Sequence, residues 1–401
     1  MSNHLLDLTS RRVLAIDVLR GMTIFVMVWV NELAGILDIP WWMKHLPADV
    51  DGMTFVDLVF PAFLFIVGMS IPFAMQARAN KGDSSMQLLQ HVVVRSLGLV
   101  IIGVMMVNTI SGYDESLMPL SIAIWTLCMY LAVLLVWSHY PRTLPSMVSK
   151  GGQLLGIASL VLLAWVFSGP EGSMISPQWW GILGLIGWAY LIAAVFYLLS
   201  RRCKSVEMQL AWLALASLFL LGLFGLIDAN KSVPFWQLVA NQNGHNTHAV
   251  LVLAGLILSI LCYHPAFADK RTRNLFCYSA VLAVLAFTSW QIWPISKIWA
   301  TPSWALFSAF FCVVLFAMVY WIVDVKQWQG WTRLFAPAAT NPLLAYILPY
   351  MLAAAALIAS VSIRPSFFNQ GLAGIAWSLA FASMILLLTA GLTRLGLRVK
   401  L

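Results

Sequence analysis

Residues 55–76 read FVDLVFPAFLFIVGMSIPFAMQ, a stretch in which Asp57 is the single ionisable residue. A helix needs about 20 mostly apolar residues to cross a bilayer. Eleven further runs of this kind follow one another along the chain with short connectors. The sequence therefore predicts an all-α polytopic membrane bundle of about twelve transmembrane helices (10–12). The candidate runs are 13–35, 55–76, 88–110, 119–138, 153–169, 179–199, 209–227, 248–265, 275–296, 303–323, 340–360 and 372–393.

The overall composition agrees with this prediction. Of the 401 residues, 61% are hydrophobic and 9% are charged, whereas soluble domains contain about 45–50% apolar and about 25% charged residues. This composition excludes a large soluble catalytic domain. It also argues against a nucleic-acid partner, because the position of Lys and Arg in a membrane protein matters more than the net charge of +8. We expect residues 1–401 to form a single transmembrane domain.

The distribution of positive charge predicts the orientation. If the N-terminus is cytoplasmic, the inner segments hold seventeen of the 23 Lys and Arg residues, including Arg11, Arg12 and Arg142. The outer segments hold four, which are Lys44, Lys231, Lys297 and Arg364. Cytoplasmic loops of membrane proteins carry an excess of positive charge, so we expect twelve spans with both termini in the cytoplasm.

Four ionisable residues lie within the predicted spans near their cytoplasmic ends. Asp17 and Arg20 are three residues apart and share one helix face. They form either a structural ion pair or the mouth of a site for an anionic ligand. His91 and Arg95 are four apart on a face of the third run, where they could contact a phosphate or lipid head groups.

A second polar group is predicted at the outer ends of the first two spans. Asn31 ends the first span, Asp57 begins the second, and His45 lies in the connector between them. A histidine with a nearby carboxylate and amide is typical of general-base catalysis, in which the amide can stabilise an oxyanion. The alternative is an ordinary interfacial belt, because Trp41 and Trp42 precede His45.

Other motifs carry weaker signals. His245 and His248 have the spacing of a metal-binding pair on a helix, but no Cys or acidic residue accompanies them in that segment. We therefore expect a solvated loop there and no metal site. The sequence contains no GxGxxG motif and no P-loop, so a ligand that contains a nucleotide is expected to bind between helices.

Four patches of sequence resemble the transmembrane heparan-alpha-glucosaminide N-acetyltransferase family and its bacterial relatives. They are Arg12 with AIDVLRGM at 15–22, His45 with DGMTFVDLVFPAFLFIVG at 51–68, PISKIWATPS at 294–303, and NPLLAY at 341–346. The second and third patches are long and specific. Asp51 departs from the pattern, because the family's W-N-G is Val50-Asp51-Gly52 in this chain.

The resemblance implies a transmembrane acyltransferase that uses acetyl-CoA from the cytoplasm. The acetyl group would pass to an amino sugar or related sugar acceptor on the outer side, with no metal. The implied catalytic residues are His45, Asp57 and Asn31. The residues expected to bind the donor are Asp17, Arg20, His91, Arg95, Lys297 and Asn341.

The expected partners are acetyl-CoA, a sugar or glycan acceptor, the lipid bilayer and a second copy in a homodimer, without nucleic acid. A bacterial cytoplasmic (inner) membrane is the expected location. Two other classes of function stay open from the residues. One is a secondary transporter of a small anionic or sugar substrate, although the chain shows no internal repeat; the other is a sensor or scaffold without catalysis.

Overall fold

A computed structural model describes residues 13–141 and 143–400, so Arg11, Arg12 and Arg142 of the charge pattern lie outside the described residues. The described chain is α-helical. Its fourteen α-helices are α1 (Leu14–Leu33), α2 (Phe55–Ala79), α3 (Ser85–Ile110), α4 (Ile122–Trp137), α5 (Ser146–Val166), α6 (Ile182–Ser200), α7 (Val206–Ala229), α8 (Pro234–Ala240), α9 (Gly244–Tyr263), α10 (Arg271–Trp290), α11 (Pro302–Tyr320), α12 (Ala336–Thr340), α13 (Pro342–Ile358) and α14 (Gly371–Arg394).

Each of the twelve predicted runs overlaps one long helix, although several helices extend past the predicted bounds. The short α8 lies in a connector, and the short α12 ends at the first residue of the run 340–360. Within the described residues, nine helices are long and apolar enough to cross a membrane, and α4 and α13 are shorter apolar helices. The predicted polytopic helical bundle is thereby confirmed, and the protein is an integral membrane protein. The count of twelve spans and the cytoplasmic location of the termini stay predictions.

The described chain divides into two compact units. The first comprises residues 13–20, Trp42–Leu97 and Ile186–Gly330, and the second comprises Gly21–Trp41, Gly98–Leu185 and residues 331–400. The expectation of a single functional domain over 1–401 stays a prediction.

Helix α9 is the centre of the first unit, where it packs against α2, α7, α10 and α11. Its contact with α2 is close because glycines face it from both sides. A Cβ atom added to Gly68 would overlap the carbonyl oxygen of Val252, and one added to Gly255 would overlap that of Phe65. Small residues let helix backbones approach in membrane proteins. This contact fixes α2, which carries Asp57, against the most buried helix of the unit.

In the second unit, α4 packs against α5 and α13, and α13 packs against α14. The indole Nε1 of Trp125 in α4 donates to the carbonyl oxygen of Leu163 in α5 over 2.8 Å. A buried indole N–H needs such a partner, because an unmade hydrogen bond is costly in an apolar interior. The two helices are therefore held together by a directional contact in addition to apolar packing.

Candidate active site

The connector between α1 and α2 is fastened to the segment that follows α10. The carboxylate of Asp51 accepts hydrogen bonds from Trp290 Nε1 (2.9 and 3.1 Å to its two oxygens) and from the main-chain N–H of Ile295 (2.7 Å). In the other direction, the N–H of Gly52 donates to the carbonyl oxygen of Ile295 over 3.0 Å. These bonds hold the connector that carries His45 against the 290–301 segment.

His45 and Asp57 form a hydrogen-bonded pair. The Nδ1 atom of His45 lies 2.6 Å from Oδ1 of Asp57, and the side chains are 40% and 2% exposed, respectively. A carboxylate only accepts, so Nδ1–H is the donor and Nε2 keeps its lone pair. The imidazole therefore presents Nε2 as its basic nitrogen while a buried carboxylate fixes its orientation. This is the arrangement that a general base requires.

The second oxygen of Asp57 is also occupied. Its Oδ2 accepts from the main-chain N–H of Thr54 over 3.0 Å, and the Thr54 hydroxyl lies 3.2 Å away. Thr54 precedes the first turn of α2, so this bond is half of a capping box at the start of the helix. The local sequence that begins the helix therefore also anchors the carboxylate, and Asp57 cannot rotate away from His45 without breaking the cap.

Lys297 brings a positive charge to the same imidazole. Its Nζ atom lies 3.1 Å from both ring nitrogens of His45. Burial lowers the pKa of Lys297, and the negative charge of Asp57 partly opposes this effect. The sequence resemblance had placed Lys297 among the residues that bind the donor. The structure places it beside the proposed base, 252 residues away in the chain.

Buried groups from α9 and α11 pack against α2 next to the pair of His45 and Asp57. Nε1 of Trp304 lies 3.4 Å from the carbonyl oxygen of Asp57. The hydroxyl of Thr247 donates to the carbonyl oxygen of Ala300 over 2.7 Å. His248 lies against the rings of Phe60 and Trp304, with ring centroids 5.3 and 5.9 Å apart. These contacts pack α2, α9 and α11 against one another next to the pair.

The prediction of a solvated loop at His245 and His248 is wrong. Both residues lie in the first turns of α9, and His248 is 5% exposed. The misleading signal was the polar sequence Asn243-Gly244-His245-Asn246, which resembles a loop. Tertiary burial against the rings of α2 and α11 overrides that local polarity.

Asn31 belongs to the second unit, near the end of α1, and its side chain is exposed. The predicted role of Asn31 in catalysis stays a prediction.

Asp17 and Arg20 form the predicted ion pair, with Nη1 of Arg20 3.0 Å from Oδ1 of Asp17. The second guanidinium nitrogen, Nη2, donates to the hydroxyl of Ser70 in α2 over 2.6 Å. The alternative of a structural pair therefore agrees with the geometry. A role of the same residues in binding the donor stays a prediction.

His91 and Arg95 lie on α3, and both are half-buried. The guanidinium carbon of Arg95 lies 4.9 Å from the centre of the Tyr190 ring. An arginine stacked in this way keeps its charge while its stem is shielded. The predicted contact with phosphate stays a prediction.

Asn341 is fully buried in the second unit. Its amide nitrogen donates to the hydroxyl of Thr393 (3.1 Å) and to the carbonyl oxygen of Leu397 (2.8 Å), and its oxygen accepts from the N–H of Val399 (3.1 Å). Both donors of the amide and one acceptor site are thus bonded to protein. These contacts give Asn341 a structural role at the end of α14, and donor binding by this residue stays a prediction.

Comparison with known proteins places the chain in a family. The family described as "Domain of unknown function (DUF5009)" matches residues 12–222, just over half of the chain. The chain belongs to this family. The matched region contains both His45 and Asp57, whereas Lys297 lies outside it.

Two curated relatives share part of the sequence. The heparan-alpha-glucosaminide N-acetyltransferase of Mus musculus is 39% identical over 100 residues, which are 25% of this chain and 14% of the relative. The protein of the same name from Homo sapiens is 39% identical over 97 residues, 24% of this chain and 14% of the relative. These similarities confirm the family resemblance seen in the sequence. The aligned segment spans about one seventh of each relative's length.

Proposed function

We propose that the protein is a membrane acetyltransferase that moves an acetyl group from cytoplasmic acetyl-CoA to an amino sugar or related sugar acceptor on the outer side of the membrane. The observation that carries the proposal is the pair of His45 and Asp57, in which a buried carboxylate holds Nδ1 of a half-exposed imidazole and leaves Nε2 as the basic nitrogen. The name of the two partial relatives supports an acetyl-transfer reaction.

In the proposed reaction, the acceptor amine or hydroxyl attacks the thioester carbon while Nε2 of His45 takes its proton. The carbonyl π pair moves to oxygen, and Asn31 stabilises this oxyanion or holds the acceptor. When the oxyanion collapses, the C–S bond breaks and the CoA thiolate takes the proton back from the imidazolium. Direct transfer and an acetyl-imidazole intermediate use the same residues. Asp57 stabilises the imidazolium in both routes.

The donor is proposed to enter from the opposite, cytoplasmic end. Asp17 and Arg20 lie in the first two turns of α1, and His91 and Arg95 lie in the first half of α3. Arginine favours phosphate groups because its guanidinium offers paired donors. An extended CoA is long enough to cross much of a hydrocarbon core of about 30 Å. Its phosphates would then remain at the basic rim while the thioester reaches His45.

The proposal extends to the setting of the protein. We place it in a bacterial inner membrane, in contact with the bilayer, as a homodimer, without a metal and without nucleic acid. Among the described residues, no group of three or more His, Cys, Asp or Glu side chains has the arrangement of a metal site.

The test is a transfer assay with the purified protein, acetyl-CoA and glucosamine-type acceptors, in which release of the CoA thiol and acetylation of the sugar are both measured. We expect thiol release to depend on the acceptor and to match the acetylated product. Sugar uptake into vesicles without acetyl transfer would contradict the proposal and favour the transporter. Sealed vesicles with acetyl-CoA on one side only test the direction of transfer.

A further inference from the structure

The position of Lys297 is built by the backbone around it. Its carbonyl oxygen accepts from the N–H of Ala300 over 3.1 Å, and the N–H of Ser296 donates to the Thr301 hydroxyl over 3.0 Å. The hydroxyl of Ser296 donates to the carbonyl oxygen of Ala48 in the connector over 3.2 Å. The segment of Lys297 is therefore bonded to itself and to the connector of His45, so the fold holds the backbone of Lys297 next to the imidazole.

The ammonium of Lys297 lacks an ion-pair partner of its own. In the part of the chain that the structure describes, no carboxylate oxygen lies within 4.0 Å of its Nζ. Its distances of 3.1 Å to both ring nitrogens of His45 do not correspond to an in-plane hydrogen bond to Nε2 alone. A half-buried cation held loosely against a base is available to bind a negative charge that forms next to that base.

We propose that Lys297 is a catalytic residue whose ammonium stabilises the negative charge on the thioester carbonyl oxygen during acetyl transfer. In the free protein the ammonium rests against His45. When the donor arrives, it moves to the carbonyl oxygen and leaves Nε2 free to take the proton of the acceptor. The ammonium keeps its own protons throughout, so the proton balance remains that of His45 and the leaving thiolate. This inference rests on the proposed function.

The distances allow this role. In a reactive complex the acceptor atom lies about 3 Å from the base and about 3–3.5 Å from the carbonyl carbon. The carbonyl oxygen is about 1.2 Å from that carbon. The oxyanion therefore forms at most about 7–8 Å from Nε2, and Nζ of Lys297, which lies 3.1 Å from Nε2, starts in the same region. The flexible stem of a lysine permits the remaining movement.

The electrostatic environment of Lys297 supports a pH test. Burial lowers its pKa, and Asp57 from α2 partly opposes this effect. The other titratable groups that face the segment are Asp51 and His45 from the connector, Asp228 from α7, which accepts from Trp293, and His245 and His248 from α9, which contacts Ala300 through Thr247. Because the reaction needs the charged form of Lys297, kcat should fall on the alkaline side below the ordinary range for lysine. Arginine keeps its charge, so Lys297→Arg should move this alkaline limb to higher pH.

The experiment compares Lys297→Met, Lys297→Arg and the control Lys231→Met. Lys231 carries the same charge in another predicted outer connector, where it is exposed and pairs with Asp228. We expect Lys297→Met to lower kcat about 10²- to 10³-fold, the usual cost of losing one oxyanion donor, with an unchanged Kd for acetyl-CoA in calorimetry. Lys297→Arg should retain part of kcat with the shifted alkaline limb, and Lys231→Met should equal wild type.

Two results would overturn the inference. An unchanged kcat in Lys297→Met would show that the Lys297 ammonium does not stabilise the oxyanion. A raised Kd for acetyl-CoA with an unchanged kcat would instead make Lys297 a donor-binding residue, as the sequence resemblance implies. The failure of the proposed function looks different, because the wild-type protein itself would then transfer no acetyl group.

Discussion

Replacement of Asp57 by Asn tests how the carboxylate controls the imidazole. The main-chain N–H of Thr54, which can only donate, lies 3.0 Å from Oδ2 of Asp57. In Asp57→Asn, the amide oxygen must remain at this position, since otherwise a buried N–H loses its acceptor. The amide NH₂ then faces Nδ1 of His45, where Oδ1 lay 2.6 Å away. Nδ1 becomes an acceptor, the ring proton moves to Nε2, and the base is blocked.

The size of the effect follows because the introduced amide cannot accept from the Thr54 N–H and from Nδ1 of His45 in one orientation. Turning the amide to restore the active tautomer leaves the Thr54 N–H unsatisfied, which costs about 1–3 kcal/mol. This cost corresponds to an about 5- to 150-fold smaller population of the active tautomer. We therefore expect Asp57→Asn to lower kcat by about this factor, with little change in the Kd for acetyl-CoA.

The assay is steady-state acetyl transfer to a glucosamine-type acceptor, with donor binding measured separately by calorimetry. Asp49→Asn is the matched control, because it makes the same change at an exposed residue of the same connector. Wild-type kcat in Asp57→Asn would refute the reasoning. An equal loss of kcat in Asp49→Asn would show that charge in the connector, not the tautomer, is responsible.

The other predictions concern the helices. Asp17→Ala should lower the thermal stability more than Asp17→Ala combined with Arg20→Leu, since the single change takes a carboxylate away from the half-buried guanidinium of Arg20, at a cost of up to about 3–5 kcal/mol, whereas the double change removes both charges. A less stable double variant would contradict the pairing. Gly68→Ala should destabilise the protein by about 1–3 kcal/mol, because the added Cβ overlaps the carbonyl oxygen of Val252. The control Gly222→Ala adds a Cβ with nothing within 4 Å, so this variant should unfold at the wild-type temperature or above. In a variant without native cysteines, single cysteines introduced at Ser116, Asn241 and Asn369 should be labelled from outside, and one at Gly82 should not. Asn241 is chosen because its neighbour Asn243 is buried. External labelling at Gly82 would reverse the predicted orientation.

The positions of the long helices could be predicted from the sequence because each depends on local composition. Apolar runs of sufficient length predict helices whatever their neighbours are, and each of the twelve runs overlaps one. The pairing of Asp17 with Arg20 was predictable for the same reason, since helical geometry alone places residues three apart on one face.

Parts of the site depend on contacts that no local pattern encodes. Lys297 reaches His45 across 252 residues, and Asp51 bonds to groups more than 230 residues away. The buried amide of Asn341 bonds to Thr393 in the last turn of α14 and to Leu397 beyond its end, both more than 50 residues away. The bond between Thr54 and Asp57 could be predicted from local sequence, because a threonine three residues before an acidic residue is typical of a capping box.

The most direct test of the central claim is acetyl transfer by His45→Ala. Because the connector that carries His45 is held by Asp51 and Asp57 is anchored by Thr54, this variant should fold and bind acetyl-CoA with wild-type affinity. The account predicts that transfer falls by at least about 10²-fold, as expected for a lost general base. Wild-type turnover by His45→Ala would contradict the account, because His45 could then not be the general base of the reaction.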